Sequence, residues 1–245
     1  GSFSQEGAEQ VTNGDFATDS DWTLTQATIS NGAATFVTTD GSFAGIRQNV
    51  FTIGKTYLIS LEVSNLIGTA EVNTNGGSSI GLDITSNGVK SFYMVPENTD
   101  IEIKRKFGIT NVSATIDNVS VREVGQDWLF SGGAEITAQG GRINNTITGA
   151  NAFISQVNSN LTIGKSLVFQ YDVVQTNGKD LAIEQIGGNI SLNTSTIGNN
   201  RKVYFEFDRA DANLIIKRAA AATDVTITNI SVKEVGMDWD LGSGW

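Results

Sequence analysis

The chain contains no cysteine and no histidine among its 245 residues, and it has a single proline. The missing cysteines exclude disulfide bonds, zinc–thiolate sites and cysteine nucleophiles. The missing histidines remove the commonest general base of enzymes and the commonest protein ligand of transition metals. No glycine-rich phosphate loop or nucleophile motif compensates for these absences. We therefore expect a protein that is not an enzyme.

Basic residues are also scarce. Lys and Arg total 16 against 26 Asp and Glu, which leaves a net charge of −10. Affinity for nucleic-acid phosphates comes from clustered Lys and Arg, so we expect no nucleic-acid partner. The acidic charge by itself indicates solubility, and it fits an extracellular or particle-borne protein.

Long hydrophobic runs are absent as well. No stretch approaches the 18 or so apolar residues of a membrane span, and we expect no membrane insertion. The apolar residues occur instead in short alternating runs, separated by Gly and Asn turn signals, which is typical of β-strands in a sandwich or jelly roll. The clearest predicted strands are residues 56–63, 101–103, 203–207 and 214–216.

The second half of the chain repeats the first. Residues 116–128 return as 227–239 at an offset of 111 (227 minus 116), and residues 51–56 return as 161–166 at an offset of 110 (161 minus 51). A period of this length is the size of a domain and exceeds that of a solenoid repeat. We therefore predict an all-β protein of two tandem jelly-roll β-sandwich domains. Their predicted bounds are 11–125 and 126–236, and residues 237–245 are predicted to be the first strand of a truncated third repeat.

The closing strand of each repeat carries a phase slip. Apolar residues alternate up to Ile116 and Ile227, and the alternation resumes in the opposite phase after Asn118 and Asn229. Because side chains alternate with period 2, such a slip predicts a β-bulge. Only two residues then separate this strand from the next repeat, which predicts stiff coupling of the domains.

Three segments resemble a known family. They are Asn-Gly-Asp-Phe at 13–16 followed by Trp22, Ile-Arg-Gln at 46–48 followed by the strand 53–61, and the closing strand 116–121. This pattern resembles carbohydrate-binding-module-like jelly rolls of the family 4, 9 and 22 type, which are galactose-binding-like sandwiches. It also resembles repeat arrays of bacteriophage tail-fibre and virion proteins. The second copy departs from the pattern because it lacks Asn-Gly-Asp-Phe and has Leu167 in the position of Tyr57.

The resemblance implies a non-catalytic module that binds glycan or polysaccharide on a cell surface, located extracellularly or on a virion. It also implies contacts with other domains of the same fibre. Aromatic and planar polar side chains suit sugar rings and hydroxyls. The candidate carbohydrate-binding residues are Phe43, Arg47, Gln48 and Tyr93 in the first copy, with Gln156 and Tyr204 in the second. The alternative is structural: glutamines bonded to backbone, tyrosines at a core margin, and Phe43 folded back as a core plug.

Related modules often hold a structural calcium ion, and Asp15 and Asp117 stand at the two matching positions. The second copy has Thr228 in place of Asp117, and calcium requires six to eight oxygen ligands. We therefore favour a turn role for Asp15 and a bulge role for Asp117, and we expect no cofactor. The basic residues Lys104–Lys106 and Lys217-Arg218 are expected at an exposed strand end.

Two functions remain open from the sequence. One is glycan attachment by a module pair, in which repeated weak sites gain from avidity. The other is a structural spacer or stalk, which self-associates head to tail when the terminal strand 239–245 adds to a neighbouring molecule.

Overall fold

The structure is a computed structural model that describes residue 3 and residues 5–76, 81–146, 151–158 and 160–236. The chain divides into two compact units. We call Glu6–Gln126 repeat 1. Repeat 2 consists of Asp127–Trp245 together with Gly1–Gln5. The predicted third-repeat strand at 237–245 lies outside the described residues.

Repeat 1 is a sandwich of two antiparallel sheets. The first sheet has the order β3-β4-β11-β6-β9, and β1 also pairs with β11. Its strands are β1 (Glu6–Glu9), β3 (Ala27–Ser30), β4 (Ala33–Thr38), β6 (Thr56–Ile67), β9 (Gly88–Met94) and β11 (Val112–Val124). The second sheet has the order β2-β5-β10-β7-β8. Its strands are β2 (Thr23–Thr25), β5 (Gly45–Asn49), β7 (Ala70–Thr74), β8 (Leu82–Ile84) and β10 (Asp100–Arg105).

Repeat 2 reproduces this plan strand for strand, from β2 to β11. One sheet has the order β12-β15-β20-β17-β18. Its strands are β12 (Leu129–Ser131), β15 (Phe153–Val157), β17 (Leu181–Ile183), β18 (Ile190–Leu192) and β20 (Asn213–Arg218). The other has the order β13-β14-β21-β16-β19. Its strands are β13 (Ala134–Thr137), β14 (Gly140–Asn144), β16 (Ser166–Thr176), β19 (Gly198–Glu206) and β21 (Asp224–Glu234).

The predicted all-β fold of two tandem jelly-roll sandwiches is confirmed. The strands predicted at 56–63 and 203–207 correspond to β6 and β19, which are longer than the alternating runs that signalled them. Inward-facing residues such as Ile59, Leu61 and Ile103 form the core of repeat 1, and their counterparts form a separate core in repeat 2. The described residues include no helix long and apolar enough to cross a membrane.

The predicted bulge is present in both closing strands. The register of β11 against β6 shifts between Asp117 and Ser120, and β21 shifts against β16 at the matching place. Asn118 and Asn229 adopt left-handed backbone angles, with φ of 50° and 48°. Asparagine tolerates this region better than most residues with a Cβ, which explains why the slip falls on asparagine in both repeats.

Asn118→Val is expected to destabilise repeat 1 by about 1–2 kcal/mol, because a β-branched residue is strained at positive φ. Asn118→Gly relieves the backbone and is expected to remain close to wild type. The same pair of substitutions at Asn229 provides the matched test in repeat 2. Urea unfolding followed by tryptophan fluorescence measures the difference. Equal stability of the valine and glycine variants would contradict the left-handed conformation.

One part of repeat 1 has no counterpart strand among the described residues of repeat 2. Strand β1 and the segment that follows it, up to Phe16, cover the C-terminal half of β11. In repeat 2 only Gly125 and Gln126 stand between β11 and Asp127, so the chain has no room there for an equivalent segment. This difference leaves the two repeats with the same sheets and different edges.

Candidate functional site

The candidate site lies on the outer face of the β2-β5-β10-β7-β8 sheet of repeat 1. Along β5 and β10, Ile46, Ile101 and Ile103 point into the core, so the residues between them point outward. A cavity of about 110 Å³ opens on this face, and we call it the cleft. It is lined by Thr23, Thr25, Phe43, Gly45, Ile46, Arg47 and Glu102.

Charged side chains meet at the cleft and are unusually well covered. Glu102 is only 4% exposed, and its carboxylate lies 2.6 Å from the Lys104 ammonium. The same ammonium lies 3.9 Å from the carboxylate of Glu71 on the neighbouring strand. Burial raises the pKa of Glu71 above its ordinary value, and the nearby Lys104 partly opposes that effect. Glu102 therefore lines the cleft as a fixed carboxylate, held from behind by the Lys104 ammonium that it shares with Glu71.

An aromatic ring stands at the cleft on a short, well-anchored loop. Phe43 is 40% exposed, and the Lys104 nitrogen lies 5.7 Å from its ring centroid, within cation–π range. The Asp40 carboxylate accepts hydrogen bonds from the Ser42 amide (2.9 Å) and the Thr38 hydroxyl (3.0 Å). These bonds, chiefly that from Ser42, lower the pKa of Asp40 to about 2. Arg105 donates to the Ser42 carbonyl at 2.8 Å, so the loop is held on both sides.

Arg47 provides the polar rim opposite this loop. Its guanidinium lies 3.7 Å from the Asp100 carboxylate, which also accepts from the Asn49 side chain at 2.8 Å. The Arg47 side chain keeps 38% of its surface exposed. It is therefore oriented by Asp100 while most of its donors stay available to a ligand.

The equivalent face of repeat 2 has different chemistry. In repeat 1 the strand register places Gly45 opposite Lys104. In repeat 2 the same register places Phe153 opposite Lys217, so a phenylalanine stands where repeat 1 has glycine. A Cβ on Gly45 would lie 2.6 Å from the Lys104 Cβ, which shows how closely the strands approach there. Ser155 and Ile215 replace Arg47 and Glu102. Repeat 2 thus keeps the sheet and lacks the counterparts of Gly45, Arg47 and Glu102, although Lys217 retains an ion pair, with Glu184 at 2.6 Å.

The six predicted binding residues fall at three kinds of position within the repeats. Phe43 and Arg47 both line the cleft. Tyr93 on β9 and Tyr204 on β19 belong to the other sheet of each sandwich, so the structure does not bring Tyr93 together with Arg47. Tyr204 is 64% exposed, and Tyr93 is half-buried, with a pKa raised first by burial and then by the nearby Glu6. Arg47 and Tyr93 therefore do not line one groove.

The third kind of position is that of Gln48 in repeat 1 and of Gln156 in repeat 2. The Gln48 amide accepts from the Thr12 backbone nitrogen and donates to the Thr12 carbonyl, both at 2.9 Å, and it also donates to the Asp21 carbonyl at 3.1 Å. Gln48 thus holds the chain segment that precedes Phe16. The Gln156 side chain has no hydrogen-bond partner among the described residues. The two glutamines share a position in the fold, but only the Gln48 side chain forms hydrogen bonds to the described residues.

The two residues considered for calcium are engaged locally. An Asp15 oxygen accepts from the Ala17 amide at 3.3 Å, and an Asp117 oxygen accepts from the Asn118 amide at 2.6 Å. Within the part of the chain that the structure describes, no group of three or more acidic residues is arranged to hold a metal ion. Local turn and bulge roles account for both carboxylates.

The sequence analysis missed Glu102, which lines the cleft, and the charged residues that hold it. Lys104 was expected at an exposed strand end, yet its side chain is only 17% exposed and lies between Glu71 and Glu102. The pattern Ile-Glu-Ile-Lys at 101–104 places Glu102 and Lys104 on one face of a strand. The pattern does not reveal that Glu71, about 30 residues earlier in the chain, also pairs with Lys104.

Comparisons with known proteins assign no family. No protein family matches the sequence. No curated protein matches it either. Among solved structures, the chain is similar to a xanthan lyase from Paenibacillus at 16% sequence identity and a TM-score of 0.30. The alignment covers 94% of this chain and 25% of that one, so the chain spans about a quarter of the lyase. A likeness this weak carries no argument about function.

Proposed function

We propose that repeat 1 is a non-catalytic carbohydrate-binding module whose ligand site is the cleft. The supporting observation is the combination of an exposed aromatic ring, Phe43, with ordered charged donors and acceptors around one cavity. A pyranose ring offers an apolar face to an aromatic side chain, and its hydroxyls pair with Arg47 and Glu102. The Lys104 bridge keeps Glu102 in a fixed position as a hydrogen-bond acceptor.

Repeat 2 is proposed as a spacer that extends the array. Phe153, Ser155 and Ile215 stand in place of Gly45, Arg47 and Glu102, which line the cleft in repeat 1. At the level of the whole protein, the resemblance of the opening and closing segments supports a phage tail fibre or similar virion appendage. In this proposal the fibre is extracellular, and repeat 1 attaches it to glycans on a cell surface.

Phe43→Ala is expected to weaken glycan binding about tenfold, which corresponds to the loss of about 1.4 kcal/mol of ring contact. Arg47→Ser, which installs the residue found in repeat 2, is expected to weaken binding to a similar degree. The ligand is first found by screening the full chain on an array of plant, algal and bacterial polysaccharides. Isothermal titration calorimetry then compares the variants.

Tyr204→Ala is the matched control, because it removes an exposed aromatic from a different sheet. It should leave affinity unchanged. Absence of binding to every polysaccharide tested, or equal affinity of wild type and Phe43→Ala, would overturn the cleft as a glycan site. Release of new reducing ends from a bound polysaccharide would overturn the non-catalytic assignment.

A further inference from the structure

Repeat 1 contains its own example of a docked peptide segment. The Glu9 carboxylate accepts from the Ser120 hydroxyl at 2.6 Å and from the Val121 amide at 2.7 Å. The Gln10 amide donates to the Val121 carbonyl at 2.9 Å, and the Val119 amide donates to the Gly14 carbonyl at 2.8 Å. These bonds show that the C-terminal half of β11 is an edge that an extended segment covers.

The same segment satisfies two further groups of repeat 1. The Trp22 indole donates to the Asn13 carbonyl at 3.0 Å. Gln48 forms its paired bonds with Thr12. Phe16 then closes the segment against Trp22, with ring centroids 5.3 Å apart. Strand edge, indole and glutamine together recognise the backbone of the segment, while the phenylalanine fills the core.

Repeat 2 keeps these receiving groups without the segment. Trp128 and Gln156 stand in the positions of Trp22 and Gln48, and they line a cavity of about 80 Å³ with Leu161, Leu214, Ile230 and Val232. The Trp128 indole nitrogen is buried and has no hydrogen-bond partner within the described part of the chain. Along residues 230–234, β21 pairs with β16 on one side, and no described strand pairs with its other side. We call this cavity and strand edge the acceptor groove.

The side chains of β21 beside the acceptor groove are less buried than their counterparts on β11. Val119 and Val121 of repeat 1 are buried, while the equivalent Ile230 and Val232 are only half-buried. An open edge of this kind, with apolar side chains beside it, is the geometry to which an added strand binds. One side chain already reaches the groove: Phe3 packs on Trp128 with centroids 5.0 Å apart, as Phe16 packs on Trp22.

Charge identifies the kind of segment that fits. In repeat 1, Glu9 lies 3.4 Å from the Arg122 guanidinium. Lys233 takes the position of Arg122 in repeat 2, is exposed, and has no ion-pair partner among the described residues. The chain cannot readily supply its own Glu9–Phe16, because the bonds above hold that segment in repeat 1. The same is true of a second copy.

We infer that the acceptor groove of repeat 2 binds an extended segment of a separate polypeptide by strand addition, with an acidic residue that pairs with Lys233. The segment runs antiparallel to β21, its backbone bonds the free strand edge and the Gln156 amide, and a carbonyl accepts from the Trp128 indole. Phe3 occupies the aromatic end of the groove, so the incoming segment requires no phenylalanine of its own.

The test uses the full chain and a fluorescent peptide with the sequence of residues 6–15. Saturable binding with a Kd below about 1 mM is expected by fluorescence anisotropy. Lys233→Glu is expected to weaken binding about tenfold, and a Glu9→Lys peptide should recover affinity for that variant. Gln156→Ala should weaken binding as well. Lys202→Glu, a charge reversal at an exposed position on β19, is the matched control and should have no effect.

Three outcomes would overturn the inference. The first is the absence of saturable peptide binding to the wild-type chain. The second is binding that is insensitive to both Lys233→Glu and Gln156→Ala, which would place the peptide elsewhere. The third is concentration-dependent self-association of the wild type, measured by sedimentation and lost in Lys233→Glu, which would assign the groove to a second copy.

Discussion

Phe16→Ala is expected to lower the unfolding free energy of repeat 1 by about 3–5 kcal/mol, the usual cost of truncating a buried phenylalanine. Phe16 is 1% exposed and packs against Trp22 within the core. Its φ is 50°, a left-handed conformation that a bulky residue adopts only when its surroundings hold it there. The free energy gained by burying the ring therefore outweighs the cost of the strained backbone. Alanine at this position loses the buried ring and still has to adopt the strained backbone conformation.

Urea unfolding of the purified chain, followed by tryptophan fluorescence, measures this effect through the repeat 1 transition. Phe107→Ala is the matched control, because Phe107 belongs to the same repeat and is 87% exposed. Its truncation should change stability by less than about 0.5 kcal/mol. A similarly small change for Phe16→Ala would show that the segment before β2 does not complete the core of repeat 1.

Phe3→Ala is expected to destabilise repeat 2 by about 3 kcal/mol and to leave repeat 1 close to wild type. Although Phe3 precedes β1 in the sequence, it is 2% exposed and belongs to the core of repeat 2. Its ring lies 5.0 Å from that of Trp128 and 6.0 Å from that of Phe130. Gly141 allows this approach, since a Cβ there would lie 2.9 Å from the Phe3 ring.

The two phenylalanine variants test each other. Phe16→Ala should shift only the unfolding transition of repeat 1, and Phe3→Ala only that of repeat 2. Hydrogen exchange, followed at backbone amides of each repeat, measures the two transitions separately. Phe3→Leu should recover part of the lost stability, because leucine restores some apolar volume. An unchanged unfolding transition of repeat 2 in Phe3→Ala would mean that the Phe3 ring does not pack on Trp128 in the core of that repeat.

Gln48 and Gln156 illustrate how far the sequence could be interpreted. Their matching positions were evident from the repeat, and both a binding and a structural role were left open. The structure gives Gln48 the structural role, since its amide pairs with Thr12. Gln156 lacks that partner because repeat 2 lacks the segment. The sequence showed that repeat 2 lacks Asn-Gly-Asp-Phe. Only the fold showed which side chains of repeat 2 have no partner because that segment is absent.

The cleft illustrates the opposite case. Phe43 and Arg47 were predicted as ligand contacts, and the structure places both at one cavity. Glu71 and Glu102 were not predicted, because outward-facing charged residues on strands are usually solvated. Their burial depends on β7 and β10 being neighbours in the sheet and on Lys104 lying between the two carboxylates.

The sequence by itself determined the duplication, the all-β class and the bulge in each closing strand. These features follow from local chemistry: the period of side-chain alternation, glycine and asparagine at turns, and a one-residue slip in phase. Only the tertiary structure decided which outward-facing residues form the cleft and which strand edge of repeat 2 lacks a partner among the described strands. Alternation specifies the face on which a side chain lies, but its neighbours across the sheet depend on strand order, which brings together residues far apart in the chain.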